Sequence, residues 1–147
     1  MRPILCVVDL TQSSVKVLEV AARMAYAYKE HLTILFPYRL IDYSYKGDLA
    51  KLKAKLEQEA GEKFFLLKKQ IVLMDQLSHE FQPEIGFPAD RINSYVKRNK
   101  LDMIVISQSQ GNTISEINGM ALQQLIANSK LPFMIVPDEV DVEIFSN

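Results

Sequence analysis

Residues 4–14 read ILCVVDLTQSS. Residues 4–8 are apolar without interruption, and the run stops at Asp9. A strand with one wet face alternates polar and apolar residues; an unbroken apolar run of this length fits a strand buried on both faces. Three further runs have the same character: residues 32–36, 103–106 and 133–136. A weaker strand candidate spans residues 78–85, where Pro83 removes a ladder donor and points to a sheet edge.

Helical periodicity fills the intervals. Leu18, Ala21, Ala22, Ala25 and Tyr28 recur at three and four. So do Leu49, Leu52, Leu56, Ala60, Phe64, Leu67, Ile71 and Met74, with lysines and glutamates on the other face. A third helix fits residues 89–98, with Ile92, Tyr95 and Val96 inward, after the punctuation of Gly86 and Pro88. A fourth fits residues 120–128, with Leu122, Leu125 and Ile126 inward. The order is β-α-β-α-β-α-β-α-β. It predicts an α/β fold, a parallel sheet with right-handed crossovers. No repeat, low-complexity tract or linker divides the 147 residues, so a single domain over 1–147 is expected.

Composition narrows the function. Apolar residues make up 48% and charged residues 24%, as in ordinary globular proteins. The net charge of −1 offers no basic excess for DNA or RNA phosphates. The lysines within residues 46–69 are interleaved with Asp48, Glu57, Glu59 and Glu62, which reads as a solvated helix face. The single cysteine, Cys6, lies inside the first apolar run and reads as a small buried hydrophobe in a reducing compartment. The first apolar run is too short for a signal peptide core, and no stretch approaches the roughly twenty apolar residues of a membrane span. A cytoplasmic location is expected, with no membrane and no nucleic-acid partner.

In open parallel sheets, ligands bind beyond the carboxyl ends of the strands where strand order reverses. Two segments fit that place. The first is Asp9-Leu10-Thr11-Gln12-Ser13-Ser14. Its hydroxyls suit helix capping, whereas the Asp9 carboxylate suits either a structural role or the hydroxyls of a ribose. The second is residues 107–118, SQSQGNTISEIN, followed by Gly119. It reads as a long polar loop, longer than most strand-to-helix connections. A phosphate cradle wants several glycines and a basic residue. This segment has Gly111, no lysine or arginine, and the acidic Glu116.

On these residues the chain resembles the universal stress proteins over nearly its whole length. ILCVVDLTQSS resembles the family's first strand and turn, and HLTILFPYR its second strand. GFPADRINSYVKRNKLDMIVIS resembles its Gly-x-Pro, helix and fourth strand. GMALQQLIANSKLPFMIVP resembles its closing helix and fifth strand. The resemblance implies a three-layer, five-stranded parallel sheet in the order 3-2-1-4-5, like that of the adenine-nucleotide alpha hydrolases. The loops after strands one and four would then line one crevice. The candidate nucleotide-contacting residues are Asp9, Leu10, Thr11, Ser107, Gln108, Ser109, Gln110, Gly111, Gly119 and Met120.

ATP-binding members carry Gly-x2-Gly-x9-Gly-Ser/Thr after strand four. Here Ser107 and Gln110 stand at the first two glycine positions. Gly119 matches the third with the connection one residue short, and Met120 replaces the hydroxyl residue. The resemblance therefore implies a member with a degenerate ATP motif, and members of that kind are typically dimers without bound nucleotide. The tail, residues 138–147, alternates through Val140, Asp141, Val142, Glu143 and Ile144. It reads as a dimerisation strand, a guarded edge or a frayed terminus.

The leading expectation is a non-catalytic stress-response protein acting through homodimerisation and an unidentified protein partner, with no cofactor. The alternative is a nucleotide sensor that holds ATP or AMP through backbone groups. A receiver domain of similar strand order would need an acidic pair after strand one and a lysine after strand five, where only Asp9 and Pro137 stand. An enzyme is not expected: His31 and His79 are isolated from metal-ligand partners, and neither a Gly-x-Ser-x-Gly turn nor a Gly-x4-Gly-Lys-Ser/Thr loop is present.

Overall fold

Five parallel strands form the middle layer of the protein in the order β3-β2-β1-β4-β5. The computed structural model describes residues 3–117 and 122–139. The strands are β1 (Ile4–Val7), β2 (Leu32–Tyr38), β3 (His79–Ile85), β4 (Met103–Ser107) and β5 (Phe133–Val136). The helices are α1 (Ser14–Tyr28), α2 (Leu49–Lys68), α3 (Pro88–Arg98), α4 (Gln108–Ile117) and α5 (Leu122–Ser129), with a 3-10 turn at Val72–Gln76.

Register follows from the central strand. Val7 lies opposite Leu35 on one side and Ile106 on the other. Alternation along β1 then sorts its side chains. Ile4, Cys6 and Val8 pack with Val17, Leu18 and Ala21 of α1, Phe64 of α2 and Met74 of the 3-10 turn. Leu5 and Val7 pack with Ala89 and Ile92 of α3, Ile114 of α4 and Leu125 of α5. Both sets are fully or almost fully buried, which is why the strand reads as a continuous apolar run. β3 is an edge strand, as Pro83 predicts, with Pro83 opposite Phe36.

Local chemistry sets the helix starts. The Asp48 side chain accepts from the Lys51 N–H at 2.8 Å and caps α2. Gly86 has φ of 140°, a value open only to glycine without strain, and its N–H reaches the Tyr38 carbonyl at 2.8 Å. Pro88 then opens α3 in its first turn.

The structure corrects four expectations. The segment 107–118 is not a long loop: α4 begins directly after β4 and runs through residue 117. The apolar stripe from Leu49 to Met74 is not one helix, because α2 ends at Lys68 and the chain tightens into the 3-10 turn. Leu49 and Tyr28, both expected inward, are 66% and 59% exposed, since each stands at a helix end beyond the sheet it would cover. The last helix begins at Leu122 as described and extends to Ser129. Residue 120 and residues 140–147 of the expected tail strand lie outside the described residues.

At the amino end of the sheet, the Glu30 carboxyl is pushed from its ordinary 4.5 to about 7, first by burial and then by the adjoining Asp102 carboxyl. The folded protein therefore holds a proton there that the unfolded chain has lost. This predicts that stability falls as pH rises from about 4.5 through 7. Urea unfolding of Glu30→Gln will show a flatter profile over that window; an unchanged slope would remove Glu30 as its source. In the core, Leu5→Ala will cost about 2–5 kcal/mol in urea unfolding, the usual penalty for a cavity at a close-packed site.

Candidate functional site

The strand order reverses at β1. α1 carries the chain from β1 to β2 on one side, while β4 and then β5 lie on the other. The turn after β1 and the start of α4 therefore emerge at the same end of neighbouring strands, with Val7 and Ile106 as the paired residues just below them.

Asp9 organises the first turn. Its Oδ1 accepts from the Thr11 N–H at 3.0 Å, from the Thr11 hydroxyl at 2.7 Å and from the Ser14 hydroxyl at 2.8 Å. The Thr11 and Ser13 hydroxyls lie 2.8 Å apart. Such a carboxylate-centred turn bends the chain tightly. Leu10, between its anchors, has φ of 62°, a left-handed conformation unusual for a bulky residue. Its side chain packs on the α1 face of the core. Ser13, at the helix start, makes no side-chain capping bond, so the hydroxyl capping expected of the turn is not found; the Asp9 carboxylate ties Thr11 and the Ser14 hydroxyl together instead.

The second segment is a capped helix start. Ser107 closes β4 and is 5% exposed; its Oγ accepts from the Gln110 N–H at 3.1 Å. That is the geometry of a helix N-cap residue bonding the third residue of the first turn. The Ser109 N–H points to Asp138 Oδ1 at 3.4 Å, and the Ser107 and Ser109 hydroxyls are 3.3 Å apart. Gln108 is exposed, whereas Gln110 is 5% exposed. Gly111 is buried within α4, where a Cβ would meet Leu122 Cδ2 of α5 at 3.1 Å. Its small size serves the packing of α4 against α5, not an open cradle. Gly119 and Met120 lie outside the described residues.

A cavity of about 110 Å³ opens beside the first turn, between Leu10, Phe36 and Tyr38 and the α2 residues Leu56, Ala60 and Lys63. It is smaller than the roughly 300 Å³ at the lower end of ordinary small-molecule pockets. The Tyr38 hydroxyl donates to Glu57 Oε2 at 2.6 Å. Burial first, and then this carboxylate, hold the phenol protonated far above the usual range. Farther along the same end, Asp42 is held down to about 2, chiefly by the Ser44 hydroxyl and then by Lys55 Nζ at 2.9 Å. Among the described residues no group of three His, Cys, Asp or Glu side chains stands close enough to hold a metal ion. No described helix is long and apolar enough to cross a membrane.

Asp9, Leu10, Thr11 and residues 107–111 lie at the carboxyl end of the sheet, where sequence reasoning put them. It missed Asp138, which follows β5 by two residues and reaches back to the start of α4. It also missed the signal that α4 begins at once: Ser107-Gln108-Ser109-Gln110 has the Ser-x-x-Gln form of a capping box.

Three layers, a 3-2-1-4-5 parallel sheet and paired turns at its switch point define a doubly wound α/β protein. The model of the universal stress protein family matches residues 1–137, and the chain belongs to that family. Solved structures agree on the fold. A universal stress protein in complex with cAMP shares 18% identity, covering 94% of this chain and 98% of that one, with a TM-score of 0.61. A family member from Burkholderia pseudomallei shares 14% identity over 92% and 96% of the two chains, with a TM-score of 0.66. The universal stress protein from Archaeoglobus fulgidus in complex with dAMP shares 15% identity over 92% and 98%, with a TM-score of 0.61. No curated protein matches the sequence.

The Asp9 turn carries its own prediction. Asp9→Ala strips the partner from the Ser14 hydroxyl, which is 2% exposed, and releases the anchor of the Leu10 turn. Chemical unfolding will show a loss of about 1–3 kcal/mol, the cost of a buried polar group left unpaired. A change within experimental error would mean the turn holds its shape without the carboxylate.

Proposed function

We propose that this universal stress protein is a non-catalytic regulatory protein of the cytoplasmic stress response. It acts as a homodimer through contacts with a protein partner, and its grip on a triphosphate is lost. One observation carries the reading: the amino end of α4 is already occupied by the protein's own groups. Helix amino termini bind phosphate through free N–H groups and a positive dipole end. Here Ser107 Oγ takes the Gln110 N–H and the Asp138 carboxylate faces the Ser109 N–H. A polyphosphate entering this position meets a negative charge where an ATP-binding relative of the expected pattern would offer glycine amides. The motif is degenerate in this sense, with its second glycine position filled by a buried glutamine.

The dimer reading rests on β5. It pairs with β4 on one side, and Ile135 is 43% exposed on this border strand. An edge unpaired among the described residues, with an apolar side chain exposed, is suited to joining a second copy.

A sensor of AMP is the second reading. Asp9 directs all three of its internal bonds to Oδ1 and so leaves Oδ2 for a ribose hydroxyl, beside the cavity at Leu10, Phe36 and Tyr38. The structural relatives bound to cAMP and dAMP lend it support.

Heat extraction and thermal-shift assays separate the readings. The first predicts no adenine absorbance in the extract, no shift with MgATP and a dimer by light scattering. Ile135→Lys will shift that dimer to monomer. A site filled with ligand at a hundred times its dissociation constant would stabilise the fold by about 2.7 kcal/mol. Such a shift with AMP alone would favour the sensor, and one with MgATP would overturn both the occupied-helix argument and the reading built on it.

A further inference from the structure

A second cavity lies at the opposite, amino end of the sheet and belongs to neither turn of the switch point. Its volume is about 580 Å³, within the range of small-molecule sites. The last turn of α1 forms one wall with Ala25, Tyr26 and Ala27, and the chain ahead of β3 forms the other with Leu77 and Ser78. Lys29, Glu30 and His31 complete it from the α1–β2 connection.

The lining selects a ligand by charge. α1 ends here, and a helix carboxyl end carries partial negative charge. Lys29, in the left-handed conformation, and Glu30 cap two of the final carbonyls, those of Tyr26 and Ala25, through their N–H groups. No basic side chain stands in the last turn of α1 to offset the dipole. Glu30 Oε2 is buried and meets no hydrogen-bond donor among the described residues. The carboxyl of Asp102 shares a hydrogen bond with Glu30 and raises it further, the charge of the chain's amino terminus acts weakly the other way, and neither carboxyl forms an ion pair with a lysine or arginine among the described residues. The His31 Nδ1 is already engaged with the Ser78 hydroxyl at 2.7 Å. The remainder is apolar apart from Gln76, and Tyr26 is 53% exposed at the wall.

We propose that this cavity is a second ligand site that takes a small amphipathic ammonium compound, with its apolar body against Tyr26, Ala27 and Leu77 and its charged nitrogen at Glu30. An anion would face both the helix carboxyl end and Glu30. A neutral molecule of the same shape would leave the buried Glu30 oxygen without a charged donor. The ammonium group supplies that donor, and an aromatic wall favours a cation beside it. The raised Glu30 carboxyl fits the same role. It is about half protonated near pH 7 and gives up that proton as the ammonium arrives. Asp102 adds to the negative field, Lys29 on the same lining works against it, and His31 Nε2 faces the Glu80 carboxylate at 3.5 Å. Binding therefore strengthens as pH rises from 6 to 8, because the amine stays charged while Glu30 ionises.

The test is an NMR titration of the full chain with phenethylamine hydrochloride, beside phenethyl alcohol as the uncharged analogue. The expected result is saturable shifts of the amides of Tyr26, Lys29 to His31 and Gln76 to Ser78 with the amine, and far weaker ones with the alcohol. Glu30→Gln lowers the amine's affinity about tenfold or more, as expected for an ion pair shielded from water. Tyr26→Ala, at an exposed position that does not endanger folding, weakens it as well. No saturable change at these residues, equal binding of the alcohol, or unchanged affinity in both variants would each overturn the assignment. AMP perturbs none of these amides, so the outcome is independent of the nucleotide reading.

Discussion

The packing of β1 between two parallel neighbours, from which the sheet is built outward in both directions, is the constraint on which the rest depends. Its side chains fill both cores, with Leu5 and Val7 on one face and Ile4, Cys6 and Val8 on the other. Its backbone pairs with β2 on one side and β4 on the other. Right-handed crossovers then fix the layers. α1 and α2 cover the face reached on the way to β2 and β3, and α3, α4 and α5 cover the opposite one. A crevice at the carboxyl end of β1 is a consequence of that divergence and needs no sequence of its own.

What occupies the crevice does depend on local sequence. Asp9 spends one carboxylate oxygen on three donors of its own turn. Ser107 and Asp138 spend theirs on the first amides of α4. In both places the chain answers its own hydrogen-bonding needs with short polar side chains, in a tight turn over residues 8–13 before α1 and with no intervening loop before α4. The family fold is thus preserved while the first amides of α4 are met by the chain's own side chains.

The strands were legible because burial on both faces leaves an unmistakable apolar run, and β3 because Pro83 belongs at an edge. α4 was not legible by propensity: Ser109, Gly111, Asn112 and Thr113 are poor helix formers. Tertiary packing overrides them, since Ile114 is fully buried and Gln110 nearly so, one helical turn apart on the same side. The Ser107 cap was visible in principle, but the same residues were weighed as a glycine-poor phosphate loop. Asp138 was harder to find, because its role exists only once β4 and β5 lie side by side. Tyr28 and Leu49 had the right spacing for the core, yet periodicity alone does not say where a helix overhangs the sheet.

The two borders of the sheet are unlike. β3 has lost a backbone donor at Pro83, while β5 leaves its outer row of peptide groups unpartnered among the described residues and shows Ile135 to solvent. A molecule that is adhesive on one margin and poorly adhesive on the other can satisfy itself with a single mate across a twofold axis. In the proposed homodimer the joined sheet would end on both sides at blunt borders, and growth into filaments would stop at two.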